Sequence, residues 1–196
     1  MSLILASSSA ARRRMLEMAG LTFESVTPRM DEDAAKTRFR IEGMLPRDQA
    51  SALAELKALS IPADRAAYVI GADQMLAVDG EVLDKPTDLA DAREHLLRLR
   101  GRTHELITAA AVTREGKVIW RHVDTPRLTM RAFSDSFLDE YLARADRSAL
   151  LSVGAYQLEG LGAQLFEAVE GDFFSVLGLQ LLPLLACLRE HGIAPR

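Results

Sequence analysis

The residues best suited to chemistry in this 196-residue chain are polar side chains set within apolar sequence. They combine hydroxyls, basic groups and carboxylates: Ser7, Ser9, Arg12, Glu32, Asp73, Lys85 and Glu159. Hydroxyl and guanidinium groups can hold phosphate oxygens, and a lysine adds a point charge. Carboxylates can bind a hard divalent cation or activate water. The set therefore predicts an enzyme site for a metal-bound polyphosphate.

The first of these residues follow a short apolar run, Leu3–Ala6, and precede helix-forming sequence from Ala10 onward. This order predicts a strand, a polar turn and a helix. The amide groups and the dipole at a helix N-terminus attract anions, so Ser7, Ser9 and Arg12 are candidate phosphate ligands. The alternative is an ordinary serine cap with Arg12 on a solvated helix face.

Asp73 directly follows an apolar strand candidate, Tyr68–Ala72. Strand ends are where α/β folds place ligands, whereas an Asx turn or a helix cap is the alternative role. The Asp79-Gly80 pair predicts a hairpin after this strand. Lys85 stands beside Pro86 beyond the hairpin, from where it can return toward Asp73.

Two further carboxylates are candidate ligands. Glu32 lies in the acidic run Asp31-Glu32-Asp33, which is predicted to be a loop or a helix start, and a solvated loop is the alternative. Glu159 lies in a glycine-rich stretch, residues 154–162, where backbone can approach a ligand closely. It can accept hydrogen bonds from a base edge or coordinate a cation, unless this stretch is only a flexible loop. The histidines lack metal-ligand spacing: His95, His104, His122 and His191.

The elements that must position these residues alternate between strands and helices, which predicts an α/β fold with a mixed sheet. Further strands are expected at residues 23–26, 106–113 and 117–123. Further helices are expected at Arg47–Leu59, at Leu89–Leu99, from the N-cap Ser134 onward, and from about Leu181 to Glu190.

Composition limits the function classes. A net charge of -4 argues against broad electrostatic capture of nucleic acid, so no stable nucleic-acid partner is expected. Cys187 is the only cysteine, which excludes a disulfide pair and a thiolate zinc cluster within the chain. No secretory signal or membrane-spanning stretch is recognisable. We expect one domain over residues 1–196, located in the cytoplasm.

Several ordered motifs carry a resemblance to a known family. They are Leu5-Ala6-Ser7-Ser8-Ser9-Ala10-Ala11-Arg12-Arg13, Asp31-Glu32, Gly71-Ala72-Asp73-Gln74, Gly80-Glu81-Val82-Leu83-Asp84-Lys85-Pro86, Gly154-Ala155-Tyr156-Gln157-Leu158-Glu159-Gly160 and Val176-Leu177-Gly178-Leu179. Through them the chain resembles the Maf family of nucleoside triphosphate pyrophosphatases from Leu3 to about Leu179.

The resemblance implies an elongated mixed β-sheet flanked by helices, similar to the inosine triphosphate pyrophosphatases, with the active cleft between two lobes. It also implies a homodimer. The implied reaction is hydrolysis between the α- and β-phosphates with Mg²⁺ or Mn²⁺, which releases a monophosphate and pyrophosphate.

Roles for individual residues are implied in the same way. Asp73, Lys85 and Glu32 match catalytic positions, and Asp73 and Glu32 are also the implied metal ligands. Asp73 can act as the general base or chiefly hold the metal. The implied substrate-binding residues are Ser7, Ser9, Arg12, Lys57, Gln74 and Glu159. Lys57 can equally be a lysine on the surface of its helix.

Family branches differ at the positions of Gln74 and Glu159, where this chain is similar to the 7-methyl-GTP branch. A cationic 7-methylguanine exposes N1–H and N2–H₂ donors that a carboxylate can accept. The expected function is removal of this or another non-canonical nucleotide. The alternatives are a dTTP or UTP pyrophosphatase, and a nucleotide-binding regulator of division or septum formation with little hydrolysis. The chain departs from the family at Ala10 and at Gln180, where proline is usual.

Overall fold

The computed structural model describes residues 2–62, 64 and 66–195. Its helices are α1 (Ala10–Met18), α2 (Glu32–Ile41), α3 (Pro46–Leu59), α4 (Leu89–Leu99), α5 (Asp135–Ala145), α6 (Phe173–Val176) and α7 (Leu181–Glu190). Its strands are β1 (Leu3–Ala6), β2 (Glu24–Val26), β3 (Tyr68–Val78), β4 (Glu81–Leu83), β5 (Thr103–Arg114), β6 (Lys117–Asp124), β7 (Arg127–Met130) and β8 (Phe166–Glu170). Short 3₁₀ helices occupy Asp146–Leu151, Val153–Ala155 and Leu161–Leu165.

The strands form a mixed sheet in the order β2-β1-β3-β5-β7-β8, with β4 paired to β3 and β6 paired to β5. Strand β1 is parallel to both β2 and β3, and its last pair joins Ala6 to Gly71. The β3–β4, β5–β6, β5–β7 and β7–β8 pairs are antiparallel. The predicted α/β class with a mixed sheet flanked by helices is confirmed.

The chain divides into two compact units. The first comprises the described residues of Met1–Gln74, Thr108–Asp124 and Gly178–Arg196. Its parallel β2-β1-β3 strands carry a small apolar cluster in which β1 and β3 meet the end of α3: Ile4, Ala6, Ala58, Ile61, Ala67 and Val69. These contacts hold α3 against the strands that bear the candidate residues.

The second unit comprises Met75–Ile107 and Thr125–Leu177. Its apolar core joins α4 and α5 to the antiparallel strands, and it includes Leu96, Leu128 and Leu138, which are fully buried. The hairpin between β3 and β4 turns at Asp79 and Gly80, whose φ angles of 51° and 80° are those of a primed two-residue turn. The expectation of one domain over residues 1–196 stays a prediction.

Most local predictions are confirmed. Helices α4 and α7 have the predicted bounds, and Ser134 caps α5 by accepting from the Phe137 amide. The acidic run is a helix start, because Asp31 caps α2 through a 2.9 Å bond from the Ala34 amide. Across the described residues, every helix is too short or too polar to cross a bilayer.

Candidate active site

Asp73 lies inside β3 and is only 4% exposed. The prediction that its strand ends at Ala72 is wrong, because β3 continues in extended conformation to Val78. The strand that ends beside Asp73 is β1, whose last residue pairs with Gly71. Asp73 therefore lies just beyond the carboxyl end of a parallel neighbour, which is a position where α/β sheets bind ligands.

Lys57 joins the two candidate carboxylates of the first unit. Its Nζ lies 2.6 Å from Asp73 Oδ1 and 2.7 Å from Glu32 Oε2. The alternative of a surface lysine is wrong, since Lys57 is 8% exposed and belongs to the buried face of α3. One ammonium group thus holds a buried carboxylate and a half-buried one, an arrangement named here the carboxylate bridge.

A second cation supports the carboxylate bridge from its exposed side. Lys36 Nζ lies 3.0 Å from Glu32 Oε1, one helical turn along α2. Partial burial by itself raises the pKa of Glu32, but Lys57 and then Lys36 outweigh it and lower that pKa to about 2. Glu32 is therefore a carboxylate at any physiological pH.

Close packing of α3 on β3 positions Lys57. A methyl group added at Gly71 would lie 2.1 Å from the Ala54 carbonyl oxygen and 2.6 Å from the Ala58 amide nitrogen. Only glycine leaves room for the helix backbone at this distance from the strand. Lys57 precedes Ala58 on the same helix face, so this contact brings its side chain to Asp73.

The guanidinium of Arg12 is bound within the first unit rather than solvated. Its Nε donates to the Gly178 carbonyl at 2.7 Å, and its Nη1 donates to the Ala72 carbonyl at 2.9 Å and to Ser7 Oγ at 3.4 Å. Burial lowers the pKa of Arg12, while the charges of Asp73 and Glu32 act in the opposite direction. The Arg12 guanidinium is therefore held on the carbonyl of Ala72, the residue that precedes Asp73 on β3.

The serines of the first motif have different environments. Ser7 is buried, and its Oγ also accepts from the Ser9 amide at 3.2 Å. Ser9 is the N-cap of α1 and accepts from the Arg12 amide, as in the ordinary serine cap. Ala10 stands at the first helical position, where proline is favoured but another residue needs no rearrangement.

Gln74 follows Asp73 and contacts Thr108, a residue that the sequence does not single out as functional. Its Nε2 donates to Thr108 Oγ1 at 2.9 Å, and the Thr108 carbonyl accepts from Gln180 Nε2. Thr108 and Gln180 are both buried. Gln180 was visible as a departure from the family motif, whereas Thr108 lies within a buried strand and carried no signal.

Lys85 and Glu159 belong to the second unit, where both are exposed. Lys85 follows β4, and Glu159 lies between two 3₁₀ helices. The segment leading to Glu159 is fixed at Tyr156, whose hydroxyl lies 2.6 Å from His104 Nε2. Within the first unit the structure thus forms two contacting groups, Ser7 with Arg12 and Lys57 with Glu32 and Asp73. Arg12 also donates to the carbonyl of Ala72, the residue before Asp73, and Gln74 follows Asp73 on β3.

Two carboxylates of the carboxylate bridge have the chemistry of divalent cation ligands. Asp73 Oδ2 is buried and accepts no hydrogen bond from any described residue, so an acceptor remains available beside the oxygen that Lys57 holds. Residues 2–62, 64 and 66–195 contain no group of three or more histidine, cysteine or acidic side chains placed to hold a metal. The pair Asp73 and Glu32 fits Mg²⁺, because Mg²⁺ commonly takes only one or two protein carboxylates together with substrate phosphates.

Comparison of the sequence with known proteins shows the family of this chain. The family described as Maf-like protein matches residues 2–191. The chain belongs to the Maf-like family. The predicted family resemblance is therefore confirmed, and the match extends through α7.

Similar proteins cover nearly the whole chain. A nucleoside triphosphate pyrophosphatase of Rhodospirillum rubrum is 52% identical over 97% of this chain and 95% of its own length. One of the same name from Caulobacter vibrioides is 50% identical over 96% of this chain and 94% of its own. A 7-methyl-GTP pyrophosphatase of Rhizobium meliloti is 49% identical over 97% of this chain and 96% of its own.

Proposed function

We propose that this Maf-like protein is a nucleoside triphosphate pyrophosphatase. Water hydrolyses the anhydride bond between the α- and β-phosphates and releases a nucleoside monophosphate and pyrophosphate, in a reaction that requires a divalent cation. The preferred substrate is 7-methyl-GTP, and the protein acts in the cytoplasm as a homodimer. The reaction class is supported by similar proteins of that name over almost the whole chain.

The observation that carries this proposal is the buried Asp73 carboxylate within the carboxylate bridge. Lys57 holds Oδ1, so the orientation of Asp73 is fixed and Oδ2 remains as an acceptor. An acceptor oxygen in this position can take a proton from water or bind a cation. Glu32 is the second acidic group in reach of the same ammonium.

The charges of the site favour a polyphosphate with a bound cation. Arg12, Lys36 and Lys57 are cationic, and Glu32 and Asp73 are anionic, so the five side chains together carry about one positive charge. A triphosphate brings several negative charges, which this set neutralises only in part. A divalent cation held with the phosphates by Asp73 and Glu32 would offset much of the remaining negative charge and would polarise the phosphoryl group.

Arg12 supplies a hydrogen-bond donor for phosphate. Its Nε and Nη1 donate to Gly178, Ala72 and Ser7, which fixes the plane of the guanidinium. Its Nη2 donates to no described residue. Guanidinium donors bind phosphate oxygens strongly, and a guanidinium that is already held loses little freedom when it does so. The role of Arg12 is to hold a phosphate near Asp73.

Preference for 7-methyl-GTP is proposed from the residue types at Gln74 and at Glu159, each taken by itself. Methylated guanine carries a positive charge and presents N1–H and N2–H₂ as adjacent donors, which suit amide and carboxylate oxygens. Thymine and uracil lack this donor pair. The name of the Rhizobium meliloti protein supports the same substrate.

The test is pyrophosphate release by the purified chain from 7-methyl-GTP, dTTP, UTP, CTP and the common purine triphosphates, with Mg²⁺, Mn²⁺ or a chelator. We expect cation-dependent release with the highest kcat/KM for 7-methyl-GTP. A preference for dTTP or UTP would leave the proposed reaction unchanged but would contradict 7-methyl-GTP as the preferred substrate. Nucleotide binding without release would favour the regulator, and light scattering tests the homodimer.

A further inference from the structure

Thr108 connects Gln74 to the start of α7 through two hydrogen bonds. Its hydroxyl accepts from Gln74 Nε2 at 2.9 Å, and its carbonyl accepts from Gln180 Nε2. Thr108 is 0% exposed and Gln180 is 1% exposed. Since both residues are enclosed by protein, solvent does not replace either bond when it is lost.

The Thr108 hydroxyl holds one end of the Gln74 amide. An amide side chain has a donor end and an acceptor end, and here the donor end is held on Thr108. The acceptor end lies beside Gly178: a methyl group added there would be 3.8 Å from Gln74 Oε1 and 3.5 Å from Arg12 Nη2. The Gln74 oxygen and the Arg12 guanidinium therefore flank the same space above Gly178.

We propose that Thr108 is a specificity-positioning residue that orients the Gln74 amide so that its oxygen accepts a hydrogen bond from a purine donor edge. This inference rests on the proposed pyrophosphatase function and on base recognition by Gln74. Gln180 supports the arrangement by holding the Thr108 backbone. A pyrimidine with one ring N–H gains less from this acceptor than guanine with its two adjacent donors.

The experiment compares Thr108→Val, which removes the hydroxyl and keeps the shape, with Thr108→Ser, which restores it. Thr113→Val is the matched control, because Thr113 is also a buried threonine on β5. The readout is the ratio of kcat/KM for 7-methyl-GTP to that for UTP. We expect Thr108→Val to lower this ratio about tenfold, the value of one neutral hydrogen bond. The loss should appear mainly as a higher KM for 7-methyl-GTP.

Rescue and coupling distinguish positioning from a general structural effect. Thr108→Ser should restore most of the ratio, and Thr113→Val should leave it unchanged. Gln74→Leu should lower the ratio, and adding Thr108→Val to Gln74→Leu should lower it no further, because the two residues act through one amide. An unchanged ratio in Thr108→Val, or a fully additive double variant, would overturn the inference.

A binding measurement separates this inference from the proposed function. Calorimetry with the α,β-methylene analogues of 7-methyl-GTP and UTP gives the selectivity without hydrolysis. If the chain releases no pyrophosphate but Thr108→Val still lowers the affinity ratio for these analogues, the proposed reaction fails and the inference stands. If pyrophosphate is released and neither Gln74→Leu nor Thr108→Val alters selectivity, the reaction stands and the inference fails. Absence of both pyrophosphate release and analogue binding would overturn both.

Discussion

Replacing Lys57 by methionine removes the ammonium of the carboxylate bridge and keeps most of the unbranched apolar side chain. The side chains of Lys57 and Asp73 are only 10% and 6% exposed, so the substitution leaves a buried carboxylate without its cation. Breaking such a pair costs about 3–5 kcal/mol. Glu32 adds little, because its side chain is 36% exposed and it keeps Lys36. The charge of Arg12 still acts on Asp73, which favours the lower limit. We therefore expect a loss of about 3 kcal/mol in the free energy of unfolding.

The assay is equilibrium urea unfolding at pH 7.5 followed by the fluorescence of Trp120, the single tryptophan, which lies on β6 of the first unit. Lys36→Met is the control, because it removes a lysine from the exposed side of Glu32 and should cost less than about 1 kcal/mol. Adding Asp73→Asn to Lys57→Met should recover about 2 kcal/mol, since no buried charge then remains unpaired. A free energy of unfolding for Lys57→Met within about 0.5 kcal/mol of that of the unsubstituted protein would show that the buried Lys57–Asp73 pair does not stabilise the fold.

Two further predictions concern packing and pH. Gly71→Ala should destabilise the first unit by about 2 kcal/mol and lower pyrophosphate release, because the added methyl group displaces the α3 backbone that carries Lys57; thermal unfolding and turnover of the same preparation check this. Burial lowers the pKa of His104 to about 4 from 6.5, so the unfolded chain takes up a proton between pH 6.5 and 4 that the folded chain does not. About 3 kcal/mol of stability should be lost as the pH falls through this window. In urea unfolding, the free energy of unfolding should depend less on pH across this range for His104→Phe than for the unsubstituted protein. An unaltered pH dependence in that variant, or an equal reduction in His122→Gln, would contradict this assignment to His104.

Local signals predicted much of the fold. The end of α4 at Leu99, the Ser134 cap and the Asp79-Gly80 turn are each determined by a few neighbouring residues, so the corresponding elements have nearly the predicted bounds. Strands β7 and β8 were not predicted. Strand β8 has exposed residues along most of its length, and a strand without a buried face has no apolar alternation to reveal it.

The sequence predicted which residues belong to the candidate site, but it did not predict the contacts between them. Lys57 has the sequence of a surface lysine, and only packing of α3 against Gly71 makes it a buried partner of Asp73. The end of β3 was misplaced because a polar Asp73-Gln74 pair interrupts the apolar pattern, while pairing with β4 keeps the strand extended. Thr108 contacts Gln74 and Gln180, which are distant from it in sequence, and local sequence patterns do not predict such contacts.

The role of Asp73 in hydrolysis is tested by single-turnover pyrophosphate release from 7-methyl-GTP with saturating Mg²⁺ by Asp73→Asn. Asp139→Asn is the control, since Asp139 is an exposed carboxylate paired with Arg93 in the second unit. We expect Asp73→Asn to bind nucleotide but to lose at least about a hundredfold in the rate of release, because a general base or a metal ligand is removed, and we expect Asp139→Asn to retain the full rate. Release by Asp73→Asn at a rate near that of Asp139→Asn would contradict this role of Asp73.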